Sequence, residues 1–72
     1  MFIRSQDGTA IYFTKSLTIA ETSSGRWAIL ADGNEVGRFS NRTVAIREMD
    51  KIYKYIDEKG YSVYDLENSS YE

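Results

Sequence analysis

The sequence predicts an α+β fold, an antiparallel β-meander of four to five strands packed on one C-terminal α-helix. Three observations lead there. Turn signals fall close together in the first half of the chain, at Asp7-Gly8, Ser23-Ser24-Gly25 and Asp32-Gly33-Asn34. The short runs between them are rich in β-branched and aromatic residues, the composition of strands. After Phe39 the apolar spacing changes from strand-like to helical, with Ala45, Met49, Ile52 and Ile56 three or four residues apart.

The expected strands are Phe2 to Ser5, Thr9 to Phe13, Leu17 to Glu21, Arg26 to Ala31 and Glu35 to Phe39. Glycine in the intervening turns supplies the positive φ that tight hairpins require. Thr14-Lys15-Ser16 is a poor turn, so one long bent strand in place of the second and third runs is an alternative. Ser40 or Asn41 stands where a helix N-cap belongs, and Ile46 and Tyr53 widen the apolar stripe. A helix of about 18 residues, about 27 Å long, then runs to Lys59. Gly60 suits the C′ position that ends it, and Lys54 and Lys59 suit the negative end of its dipole. Tyr61 to Leu66 alternates as a last extended segment would, and residues 67–72 read as a flexible tail. With no proline and no internal repeat, residues 1–66 form a single expected domain.

Composition narrows the chemistry. The chain has 72 residues, of which 42% are hydrophobic and 14% aromatic, enough for one core and too few for two. Cysteine and histidine are both absent. That removes disulfides, thiolate chemistry and most zinc, haem and iron–sulfur sites, together with the commonest acid–base group near neutral pH. No cofactor, no metal and no enzymatic activity are expected. The formal net charge is −2, so the whole chain has no excess of cations to draw it onto a phosphate backbone. No apolar run is long enough to span a bilayer and the N-terminus lacks a signal-peptide core, so no membrane association and a cytoplasmic location are expected.

The residues suggest few sites. Arg47, Lys51 and Lys54 make a short basic stripe along the helix, which Arg42 and Arg38 extend. Glu48, Asp50, Asp57 and Glu58 interrupt it, as on a solvated helix face. Asp32-Gly33-Asn34-Glu35 resembles part of a calcium loop but lacks its length and closing glutamate, so it reads as a hairpin turn. Six tyrosines and Trp27 suggest base stacking, yet most tyrosines lie in or beyond the helix, away from the strand arginines.

Area gives a stronger pointer. A helix about 10 Å across covers two or three strands spaced about 4.8 Å apart. The strands nevertheless carry apolar residues on both parities, Ile11 and Phe13 against Ala10 and Tyr12, Trp27 and Ile29 against Ala28 and Leu30. Either the sheet curls on itself around the helix, or its second face meets another protein or a second copy. Trp27, with Tyr12 and Arg38 as neighbours, is the expected protein-binding group, since aromatics and arginine dominate binding hot spots. The alternative is a weak nucleic-acid binder using Arg38, Arg42, Arg47 and Lys51.

Phe2-Ile3-Arg4-Ser5-Gln6-Asp7, then Trp27-Ala28-Ile29-Leu30, Val36-Gly37-Arg38-Phe39 and Met49-Asp50-Lys51-Ile52 together resemble the small uncharacterised proteins of Gram-positive bacteria and their phages or mobile elements that begin with an IRSQ strand. The resemblance implies a bacterial or phage cytoplasmic protein and carries over no activity or site residue. Thr9 to Glu21 matches least. Arg26 to Ile56 is also similar in plan to the arm-type DNA-binding domains of phage integrases, whose sheet is strongly basic. Here Glu21, Asp32 and Glu35 lie at the strand ends.

Overall fold

The computed structural model describes residues 1–59 and 63–66. The elements are β1 (Phe2–Arg4), β2 (Ile11–Phe13), β3 (Leu17–Glu21), β4 (Trp27–Ala31), β5 (Asn34–Phe39), α1 (Arg42–Lys59) and β6 (Val63–Asp65). The α+β class, the run of antiparallel strands and the single helix near the C-terminus follow the expectation, with the strands divided into two sheets. One has the order β2-β1-β6, with β6 parallel to β1, and the other is the meander β3-β4-β5. The expected C′ glycine at Gly60 and the tail at 67–72 lie outside the described residues.

The division occurs at Thr14-Lys15-Ser16, so the second and third runs are separate strands and not one bent strand. Thr14 turns its hydroxyl back onto the Ser16 carbonyl at 2.7 Å. The Asp32 carboxylate accepts the Lys15 and Ser16 N–H groups, each at 3.2 Å, and the Ser16 hydroxyl at 3.1 Å. These donors hold the Asp32 carboxyl below its usual range, the Lys15 N–H first among them. Asp32 also opens the β4–β5 hairpin. Its φ of 49° and the 89° of Gly33 make a two-residue turn of the I′ kind, which matches the twist of the strands it joins. One residue thus sets both a hairpin and the crossing between sheets.

The IRSQ segment accounts for itself in structural terms. Ile3 is fully buried in the core and Arg4 lies 3.5 Å from Asp65 across the first sheet. Ser5 and Asp7 build the turn into β2. The Ser5 hydroxyl donates to Asp7 at 2.7 Å, and the Thr9 hydroxyl and N–H do so at 2.7 and 3.0 Å. Gln6 joins the two sheets. Its N–H donates to the Val36 carbonyl at 2.7 Å and its side-chain oxygen accepts the Arg38 N–H at 2.8 Å. Val36 is the extra residue of a bulge in β5, opposite the Ile29–Leu30 step of β4, and a bulge bends a strand toward such a contact. The two sheets and the helix thus share one interior.

The Asp7 hydrogen bonds, that from Ser5 foremost, lower its carboxyl pKa from 3.8 to about 2. Between those values the unfolded chain binds more protons than the native one. The stabilisation is therefore complete above pH 3.8 and is lost as pH falls through about 2. In Asp7→Asn, thermal unfolding followed from neutral pH to pH 2 should show a shallower acid limb. Parallel limbs for the two proteins would contradict this account.

The helix starts where the side chain of Asn41 accepts the Val44 N–H at 2.9 Å, which selects Asn41 over Ser40 as N-cap. Its apolar stripe packs on β3, β4 and β5 and touches β6. Ile3, Leu17, Ile29, Ala31, Val36, Phe39, Ala45, Ile52 and Leu66 form one buried cluster drawn from both sheets and the helix.

Candidate binding surface

Alternation along the three strands of the first sheet sends Ile3, Tyr12 and Tyr64 toward the core and Phe2, Arg4, Ile11, Phe13, Val63 and Asp65 outward. The register sorts the outward residues into two rows. Phe13, Phe2 and Val63 stand side by side across the sheet, and Ile11, Arg4 and Asp65 make the row beside them. Phe13 is 61% exposed, Ile11 49%, Phe2 39% and Val63 37%. Of the five large hydrophobic residues exposed among those described, only Tyr53 lies elsewhere, on the helix. The Phe2 and Phe13 rings touch, tilted 60° with centroids 5.0 Å apart.

The outward face of the second sheet is different. Thr18, Ala20, Ala28, Leu30, Glu35 and Arg38 share it by register, and the Arg38 Nε atom meets Glu35 Oε2 at 2.8 Å. Each outward face carries an ion pair, Arg4–Asp65 on the first sheet and Arg38–Glu35 on the second, but only the first adds a row of exposed ring and aliphatic side chains.

The three residues expected to form a protein-binding group do not come together. Trp27 pairs with Phe39 and Glu21 on the core side of the second sheet, half-buried, with the Arg42 guanidinium 5.9 Å above its ring. Tyr12 is half-buried against the core from the first sheet. Arg38 pairs with Ala28 and so points away from Trp27. The basic residues also separate. Arg47 and Lys51 occupy the solvent side of the helix, whereas Arg38 stands on the face of the second sheet that the helix does not cover. Arg42, at the first helical position, is held over Trp27.

Glu48 corrects one expectation. Grouped above with the solvated charges, it is only 1% exposed, and the Tyr64 hydroxyl donates to its Oε2 at 2.7 Å. The physical reason was visible in the spacing, because a residue three after Ala45 and four before Ile52 lies in the buried stripe. Lys51 Nζ stands 3.9 Å from Glu48 Oε1, linking the buried carboxylate to the solvent side. Among the described residues no three carboxylates converge as a metal site requires.

Phe2 and Val63 had no place among the sequence-derived candidates, although Ile11 and Phe13 were the residues whose parity gave the warning. The missing information was pairing. The row becomes visible only once Phe2 is set beside both Phe13 and Val63, and the β6 partner lies some 60 residues away in the chain. No helix among the described residues is long and apolar enough to cross a membrane. No protein-family model, no curated protein and no solved structure matches the chain.

Proposed function

We propose that this is a small non-enzymatic protein-interaction module, acting in the cytoplasm of a bacterium or of a phage-infected cell, whose docking surface is the outer face of the first sheet. The observation that supports it is the exposed row Phe13–Phe2–Val63 with Ile11 beside it, on a molecule whose core is already closed without them. Clustered apolar side chains on one face mark a contact surface, whereas singly scattered ones do not. Aromatic residues on a rigid sheet are effective anchors because little side-chain entropy is lost when they are covered. The likeness of the opening segment to IRSQ proteins supports the bacterial or phage origin. The nucleic-acid reading has less support, since only Arg47 and Lys51 of its four cations share a side, with Arg42 held over Trp27 and Arg38 on the far face of the second sheet.

Site-directed photocrosslinking tests the reading. Benzoylphenylalanine is placed at position 13, and in a control at position 18 on the opposite sheet, in protein expressed in a Gram-positive bacterium. The expected result is a discrete adduct with another protein from position 13, absent from position 18 and lost when Phe2→Ser is added. Equal labelling from both positions, or an adduct indifferent to Phe2→Ser, would overturn it.

A further inference from the structure

We infer that β2 is a pairing edge for a second copy of this chain, the two β2 strands joining antiparallel about Tyr12 so that two first sheets become one six-stranded sheet. Met1 and Thr14 exchange both backbone hydrogen bonds, at 2.9 and 2.8 Å, and the Ser5 N–H donates to the Ala10 carbonyl at 2.8 Å. Hydrogen-bonded and non-hydrogen-bonded pairs alternate along an antiparallel ladder. Tyr12 is therefore bonded to Ile3, while the N–H and C=O groups of Ile11 and Phe13 point away from β1, along an edge that no other strand among the described residues covers.

A two-fold axis at Tyr12 sets Ile11 opposite Phe13 of the second copy and Phe13 opposite its Ile11. All four outward N–H groups then find carbonyls. Of the guards that edge strands carry against such pairing, β2 has no charge, proline or bulge, and only its three-residue length limits the contact. The opposite edge of the second sheet is guarded, because Gln6 occupies the Val36 and Arg38 backbone groups of β5.

Charge selects the antiparallel arrangement. Lys15 follows β2, and Thr9, which precedes it, donates two hydrogen bonds to the Asp7 carboxylate. Lys15, just past the end of β2, then falls on the side of the second copy's Thr9 and Asp7, and the same proximity recurs at the other end. Parallel pairing would set like charges together.

Pairing also serves the docking face, and in this it rests on the function proposed above. Three strands of three residues outline roughly 150 Å², against about 800 Å² per side in a standard interface. Joining two copies doubles the apolar face and makes it continuous, because Ile11 and Phe13 of both copies point the same way.

Sedimentation equilibrium of the full chain from micromolar to millimolar concentration, with amide hydrogen exchange over the same range, tests the proposal. The expected mass rises toward twice 8.3 kDa while the Ile11 and Phe13 amides slow. Ile11→Pro, which deletes an N–H that has no partner among the described residues, should leave the protein monomeric. Lys15→Glu should raise the dissociation constant about tenfold. Phe2→Ser, on β1, should leave the pairing intact while abolishing the crosslink from position 13 to other proteins, so that loss of either activity is seen separately. A monomer at every concentration, or association that changes neither amide nor responds to Lys15→Glu, would overturn the proposal. If Ile11→Pro fails to fold, the exchange of the two wild-type amides decides.

Discussion

Phe39→Ala is expected to unfold the protein or lower its melting temperature by at least about 15 °C, the loss that about 3 kcal/mol produces in a domain of this size. The Phe39 ring is fully buried, pairs with Trp27 across the β4–β5 ladder and belongs to the cluster shared by both sheets and the helix. It also packs so closely over Gly37 that a Cβ there would stand 3.3 Å from two of its ring carbons. Because Phe39 closes β5 immediately before the N-cap of the helix, truncation leaves a void where neither neighbour can easily move in. Substitutions of this kind cost about 3 to 5 kcal/mol, and a chain this short has total stability of only about 4 to 11 kcal/mol. Phe13→Ala is the matched control, with the same atoms deleted from a side chain that is 61% exposed. It should cost less than about 1 kcal/mol. Thermal unfolding followed by circular dichroism compares the two, and equal losses would mean that the division between core and outer face is wrong.

That division shows what could be read in advance from the residues. Turn chemistry is local, so Asp32-Gly33 and Ser23-Ser24-Gly25 marked their hairpins correctly. The change of period after Phe39 likewise placed an 18-residue helix that the structure bounds at Arg42 and Lys59. Pairing is not local. Nothing within Leu17 to Glu21 reveals that it leaves the sheet of the preceding strand, because the cause is a carboxylate at Asp32, 16 and 17 residues from the amides it binds. The unshielded face followed from comparing areas and parities, yet its members depended on a parallel strand from the far end of the chain. Trp27 was singled out as the most suitable residue type for a contact, but its register opposite Phe39 commits it to the core side. Residue type suggests what a side chain could do at an interface, and strand register decides whether it is there.

Tyr64→Phe is expected to cost about 1.5 to 3 kcal/mol, the range for a hydrogen bond to a charged group, although it deletes a single oxygen atom. The Tyr64 hydroxyl lies 2.7 Å from Glu48 Oε2, and the Glu48 side chain has no exposed surface. A buried carboxylate relies on its donors because the water that would otherwise solvate it is excluded. Around this pair the Tyr55 ring meets the Tyr64 ring edge to face at 5.1 Å, so the helix grips β6 by both a polar and an aromatic contact. β6 carries Val63 into the outer apolar row, and the polar contact therefore helps to hold the docking face in place. A double-mutant cycle separates the hydrogen bond from packing. In a Glu48→Leu background, Tyr64→Phe should cost less than about 0.5 kcal/mol, because the hydroxyl no longer has a carboxylate to serve. Glu48→Leu combined with Tyr64→Phe should be far less harmful than the burial of Glu48 suggests, since replacing a buried charge together with its partner by apolar groups is often neutral or stabilising. If Tyr64→Phe costs the same in both backgrounds, the hydroxyl acts elsewhere and the helix is not tied to β6 through Glu48.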